Sequence, residues 1–255
     1  MLKFSASLLN TFLNDYKTGD LKKALMREPG FDNQWFEFGH WFENQIQLFN
    51  EKQDLTRQPI YKPRDEYKID PTLDYHARQK AITAIKEYMY KGSIGLTDFE
   101  IQNISGQLSP CQWQKHVGAV YDIFGHKVLL HGFIDASPLN TDCEWDWDLK
   151  TTSVGEQKIY GKYNDSMQHH MYMMLNKKPK FKYITYSTRT MKHYIQEFNN
   201  EDSEQIILST VVRMLEHIHE NDDLYEIMMR THNFEEDVAN GFEDKTAQGG
   251  TKIII

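Results

Sequence analysis

Asp135, Asp148 and Lys150 are the residues of this chain whose types and spacing best suit chemistry. Asp135 closes the run Gly132-Phe133-Ile134-Asp135, and Asp148-Leu149-Lys150 begins thirteen positions after it. Side chains two apart on a strand share a face, so Asp148 and Lys150 project together, and a hairpin can bring Asp135 beside them. Two carboxylates and an ammonium crowded on one sheet face make a poor core and a good divalent-metal site. Such a site suits phosphodiester hydrolysis, where bound cations lower the pKa of water and offset the charge of the phosphate. Mg²⁺ and Mn²⁺ take hard oxygen ligands. Asp135 and Asp148 are the expected ligands, with the Leu149 carbonyl as a third, and Lys150 would orient the attacking water or stabilise phosphate charge. An isolated Asp-x-Lys is more often an ordinary surface ion pair, so the assignment needs further support.

Gln168 and Tyr172 stand four apart on an expected helix and share one face of it. An amide and a phenol there can meet phosphate or base edges. His40, in Phe38-Gly39-His40-Trp41-Phe42-Glu43, lies on a helix otherwise apolar on its buried side. Alone, such a histidine is more often structural; Glu37 and Glu43 flank it three residues away, and either could orient its ring or act as an alternative ligand. From Lys150 to Lys192 there are nine Lys and Arg, Lys158 and Lys162 among them, against Glu156 and Asp165, a local net of +7 in a chain of net charge −8. That asymmetry can build a basic groove on an acidic protein, or merely solvate a sheet edge.

The elements that must position these residues follow from periodicity. Ser5 or Ser7 is the expected N-cap of a helix striped by Leu8, Leu9, Phe12 and Leu13. Further helices are expected over 33–50, 72–90, 165–175 and 202–229. Strands are expected over 99–104, 117–124, 127–136, 143–151, 182–188 and 192–198. In the fourth of these, Trp145, Trp147 and Leu149 take one face and Glu144, Asp146, Asp148 and Lys150 the other. The aromatic face should pack on helices and leave the charged face toward a cleft. The order of elements implies an α/β fold with helices around a central mixed sheet. We expect one domain over 1–240: a mainly helical part to residue 98, a sheet with the catalytic core over 99–200, a helix over 201–230, then a flexible tail over 241–255.

These residues, in this order, resemble the RecB-like branch of the PD-(D/E)XK nuclease superfamily. The resemblance runs through Ser5 and Ser7, His40, Gly132 and Asp135, Asp148 and Lys150, and Gln168 and Tyr172. It implies a restriction-endonuclease-like central mixed sheet flanked by helices, with extra N-terminal helices. It also implies a Mg²⁺- or Mn²⁺-dependent deoxyribonuclease, an exonuclease rather than a site-specific endonuclease, acting in DNA recombination, repair or phage DNA processing. His40, Asp135 and Asp148 would then be metal ligands and Lys150 the catalytic lysine. Gln168, Tyr172, Ser5, Ser7, Lys158 and Lys162 would contact DNA or support the site.

Some members of that branch carry a four-cysteine iron–sulfur cluster. Cys111 and Cys143 are the chain's two cysteines, too few for one, and free thiols in a reducing cytoplasm are the expectation. No phosphate-binding P-loop or dinucleotide fingerprint occurs. No apolar stretch approaches the ~20 residues of a membrane span, so no membrane partner is expected. The partners expected are single- or double-stranded DNA and a recombination or repair protein. The alternative is a nuclease-fold protein that binds nucleic acid or a protein partner without cutting.

Overall fold

The computed structural model describes residues 1–18, 21–26, 34–51, 98–232 and 242–244. The helix expected over 72–90 lies outside them, as does most of the expected 241–255 tail. Within the described residues, a strand β1 (Leu2–Ser5) leads into helices α1 (Ala6–Thr18), α2 (Leu21–Met26) and α3 (Gln34–Asn50). Next come α4 (Asp98–Gln107), β2 (Cys111–Ile123), β3 (His126–Pro138) and β4 (Trp145–Thr152). After these follow α5 (Met167–Asn176), β5 (Lys180–Ser187), β6 (Lys192–Asn199), α6 (Ser203–His219), α7 (Asp222–Thr231) and the short β7 (Glu243–Asp244).

The strands form one mixed sheet in the order β6-β5-β4-β3-β2-β7, with β1 also beside β3. Helices cover it on both faces, as expected of an α/β fold built on a central mixed sheet. β2 and β3 form a long antiparallel hairpin, turned at Phe124 and Gly125 with φ of 55° and 75°. Two consecutive positive φ values match the right-handed twist of the flanking strands, and Gly125 takes the second at no steric cost. β4 and β5 run parallel, as a crossover through α5 requires.

Two apolar clusters hold the layers together. One lies between the sheet and α1, α5, α6 and α7, and includes Phe4, Leu9, Leu130, Ile134, Met171, Tyr183, Val211 and Ile218. The other lies under α3 and α4, where Phe38, Phe42, Ile46, Ile101 and Ile104 meet Trp147, Leu149, Ile184 and Tyr186. Burial of this kind contributes roughly 25 cal/mol per Å² of apolar surface.

Three expectations need correction. Residues 99–104 are helical: Ile101, Ile104 and Leu108 are buried at three- and four-residue spacing, while Phe99, the strand-like neighbour of Ile101, is 68% exposed. The expected helix over 202–229 is broken at Asn221, whose backbone is extended, into α6 and α7. β1, with Leu2 and Phe4 buried and Lys3 and Ser5 half-buried, precedes the expected first helix and has no counterpart in the expected elements. The charged face of β4 is not open, since Asp146 and Asp148 are fully buried beneath α5.

Candidate active site

β1 and β4 occupy the same edge of β3 and approach one another head-on. β1 pairs parallel up to Ser5 opposite His131, and β4 meets β3 at the antiparallel pair Ala136 and Trp147. Continued one step, that register sets Asp135 across from Asp148. Here the strands part, and the Asp135 side chain substitutes for the ladder: its Oδ2 accepts a hydrogen bond from the Leu149 amide at 2.9 Å. On the other side, Gln114 takes a left-handed φ of 50° and its Nε2 reaches Asp135 Oδ1 at 3.4 Å. The packing of β3 changes at the same place. Ile134 belongs to the α5-side cluster and Ala136 to the α3-side cluster. Asp135 therefore sits where a strand gap and a change of face coincide.

Asp148 projects under α5. Its Oδ1 accepts a hydrogen bond from Gln168 Nε2 at 2.5 Å, and Lys150 Nζ lies 2.5 Å from Oδ2. Ser166 caps α5 through the Gln168 amide, and Asn10 Oδ1 of α1 accepts from the Met167 amide at 2.8 Å, so this end of the helix is fixed twice. Tyr172 lies flat over Gly132. A Cβ on Gly132 would fall 2.4 Å from Tyr172 Cε1, so only glycine lets the ring approach β3 this closely.

The third acid comes from α3. Glu43 lies close enough to Asp135 and Asp148 to perturb both ends of the pair. Its carboxyl is pushed up to about 7, first by burial and then by the Asp148 charge, with Lys150 opposing. Asp135 is raised by burial and next by Glu43, and Asp148 by burial and next by Asp135. The two aspartates act on one another's charge, so they titrate as a pair. Burial pulls Lys150 down, but Asp148 and Asp135 outweigh it and hold the ammonium protonated. Like charges within reach raise carboxyl pKa values because only partial ionisation is tolerated.

Three carboxyls facing one ammonium leave a deficit of positive charge lined by hard oxygen donors. That chemistry fits Mg²⁺ or Mn²⁺, which keep several waters and need few protein ligands. Among the described residues no group of three or more His, Cys, Asp or Glu side chains is already arranged to hold a metal ion. Lys150, Gln168 and the Leu149 amide now hold the aspartate oxygens.

The expected site residues are distributed as follows. Asp135, Asp148, Lys150 and Gln168 meet in one cluster, with Tyr172 against it. At Leu149 the amide donates to Asp135, on the strand that carries the expected carbonyl ligand. On α3 it is Glu43 whose charge acts on the aspartates, while His40 places Nδ1 3.9 Å from Glu43 Oε2 with its side chain 48% exposed. Sequence reasoning held Glu43 only as an alternative to His40. The signal favouring it is its position four residues after Gly39, which packs against Thr151 of β4. Glu37 lies in a part of α3 whose side chains are outside the described set.

Ser5 caps α1 by accepting from the Leu8 amide at 3.3 Å, and its hydroxyl lies 2.9 Å from that of Ser7. Lys162 reaches Thr152 Oγ1 at 2.9 Å and is lowered by burial and then by the Lys150 charge, which places it beside the cluster. Lys158 is exposed on a short 3-10 turn. The basic run does not form one continuous groove. Lys178 pairs with Asp146, Lys180 with Glu144 and Glu197, and Lys182 with Glu197.

No protein-family model matches the sequence, and no match is found among curated proteins. Among solved structures, the crystal structure of SSO0001 is similar at 16% identity and a TM-score of 0.34, over 64% of this chain and 71% of that one. The crystal structure of Scheffersomyces stipitis Rai1 is similar at 13% identity and a TM-score of 0.29, over 84% and 67%. Its complex with (3'-NADP)+ and calcium ion gives 12%, 0.29, 84% and 66%. At these scores the likenesses carry no functional weight. Among the described residues no helix is long and apolar enough to cross a membrane.

Proposed function

We propose that this chain is a Mg²⁺- or Mn²⁺-dependent DNA nuclease that hydrolyses phosphodiester bonds. The observation that carries the reading is the pairing of buried Asp135 and Asp148, from β3 and β4, with the Lys150 ammonium on Asp148 and the Glu43 carboxyl of α3 coupled to both by charge. Asp135, Asp148 and Glu43 would hold the metal; when bound, it would supply a Lewis acid and a low-pKa water.

The protein's own groups do the rest. Lys150, held charged by the aspartates, aligns the attacking water and faces the phosphate with a fixed positive charge. Gln168 fixes the rotamer of Asp148, so one carboxylate oxygen keeps its direction while the other can exchange Lys150 for a cation. Tyr172, raised by burial and then by Asp148 and Asp135, stays a neutral phenol that can donate a hydrogen bond to a phosphate oxygen. Exonuclease action, and a place in recombination, repair or phage DNA processing with a protein partner, rest on the RecB-like resemblance.

Incubation of end-labelled and internally labelled linear DNA with each metal tests the reading. Wild-type protein should cut in Mg²⁺ or Mn²⁺ and not in EDTA, and Asp148→Asn should be folded and inactive. Cleavage undiminished in Asp148→Asn would overturn it, as would no cleavage of any DNA form in either metal.

A further inference from the structure

The sheet face beside the acid cluster carries a second feature. His131 and Phe133 alternate with Gly132 and Ile134, which face α5, so the former two project from the opposite side of β3. Phe133 is 48% exposed although it lies two residues, roughly 7 Å of strand, from Asp135. His116, its cross-strand partner, stacks on it with centroids 4.3 Å apart and planes 11° apart. Phe242 meets the same imidazole edge-on at 4.8 Å, and His131 lies 3.4 Å from it, nitrogen to nitrogen. Burial and the Lys3 charge keep the His116 ring below its ordinary range, so it serves as a flat neutral plate. Ser5 pairs with His131 in register, and next to it opens a cavity of about 360 Å³. Lys3, Ser5, Ser7, Thr11, His131 and His232 line that cavity, and among the described residues no carboxylate does.

We infer that this face is a track for single-stranded nucleic acid, with a base stacked on Phe133 and a phosphate in the cavity beside His131. Aromatic plates beside a lysine and hydroxyls suit a single strand: every base has a π-face, and the backbone follows the positive charge. A duplex cannot use Phe133 this way, because its bases are already stacked on one another. The track runs along β3 straight into Asp135, so it delivers a strand to the acid cluster. The substrate inference rests on the nuclease reading; the stacking itself does not. A second copy of the chain is a poorer occupant, since the cavity end carries Lys3, three hydroxyls and two histidines beside only Leu8 and Ala24.

Fluorescence anisotropy in EDTA, where no cleavage occurs, tests the inference with labelled oligothymidylate, oligouridylate and a duplex of matched length. Phe133→Ala and His116→Ala should each weaken single-strand binding by about tenfold, with duplex binding changed by less than about twofold. Phe133→Leu, which keeps apolar volume and the fold while losing the ring, should match Phe133→Ala, and Phe133→Trp should restore binding. The two single strands distinguish DNA from RNA through the 2′-hydroxyl. Unchanged single-strand binding in both Phe133→Leu and His116→Ala would overturn the inference. So would equal losses on duplex, or a dimer dissociated by Phe133→Leu with no oligonucleotide bound. Cleavage by wild type alongside normal binding by the Phe133 variants removes the track alone. Loss of binding in those variants, from a protein that cuts nothing, removes the nuclease reading alone.

Discussion

Asp146 and Asp148 sit two apart on one strand, on one face, both fully buried, and each is met by one amide and one lysine. Asp146 takes Asn176 Nδ2 at 2.5 Å and Lys178 at 3.3 Å; Asp148 takes Gln168 Nε2 at 2.5 Å and Lys150 at 2.5 Å. Both amides come from α5, one from each end. By residue type the two settings are nearly copies. What separates them is the next shell. Around Asp146 the further contacts are donors: Lys115 binds Asn176 at 2.7 Å and Lys178 also bonds the Trp145 carbonyl at 3.2 Å. Around Asp148 the further charges are two more carboxyls, Asp135 and Glu43. A buried carboxylate whose neighbours are donors is a structural tie. One crowded by its own kind is held in reserve for a cation. An acid-x-lysine pattern alone cannot distinguish the two.

The largest expected effect separates them by function. Asp148→Asn should lower DNA cleavage by at least about a thousandfold, on the scale of losing a transition-state electrostatic contact, while the melting temperature holds or rises. Relief of repulsion among three carboxyls offsets the lost pairing with Lys150. Asp146→Ala should do the reverse, since it leaves Lys178 and Asn176 without a buried partner. It should destabilise by about 3 kcal/mol and keep cleavage within a few-fold in the folded fraction. Paired assays of cleavage and denaturant unfolding read both. If the two variants behave alike, the contrast is wrong.

The lysines should follow the acids. Lys150→Met should abolish cleavage and also lower stability without metal, because three carboxyls then lose their one counter-charge. Lys178→Met should lower stability alone, by about 2 kcal/mol, less than Asp146→Ala because Asp146 keeps Asn176. Gly132→Ala is smaller still and acts on one end of α5. The added methyl drives Tyr172 off β3, which should cost about 1–3 kcal/mol and cut activity roughly tenfold through Gln168, with the Asn176 end untouched. Tyr172→Ala in the same chain should recover most of the stability, as unfolding curves would show.

Much of this arrangement was legible because β4 alternates so strictly. The period of two in Trp145, Trp147 and Leu149 against Asp146, Asp148 and Lys150 placed the acids on one face correctly. Gly132 and the four-residue spacing of Gln168 and Tyr172 were visible too. What stayed hidden was tertiary. Nothing local says that α5 closes over the charged face, because a buried acid reads like an exposed one until its partners are placed, and Asn176 and Lys178 lie some thirty residues away. The choice between His40 and Glu43 depends on helix rotation. With Phe38 and Phe42 buried, the face carrying Gly39 and Glu43 turns toward β4, a result of packing rather than of propensity. Residues 99–104 misled because Phe-Glu-Ile-Gln-Asn-Ile fits period two and period 3.6 over so short a window, and only the burial of Leu108 extends the helical series.

The smallest effect is a pH dependence that bears on the same contrast. The Glu43 carboxyl stands at about 7 when folded, and the Asp135 and Asp148 pair is raised as well. Unfolded carboxyls titrate near ~4, so over the interval between, the folded state binds more protons than the unfolded one. Stability then falls as pH rises. The contribution is fully present below about pH 4 and lost as pH climbs through about 7. In EDTA, the wild-type melting temperature should fall from pH 5 to pH 8 relative to Asp148→Asn, which has one acid fewer and less repulsion to lose. Mn²⁺ at pH 8 should restore the wild type and do little for Asp148→Asn, because the cation takes the place that protons hold at low pH. A wild-type curve parallel to that of Asp148→Asn would mean that the three carboxyls do not share one pocket. Asp148 would then be the same kind of structural tie as Asp146.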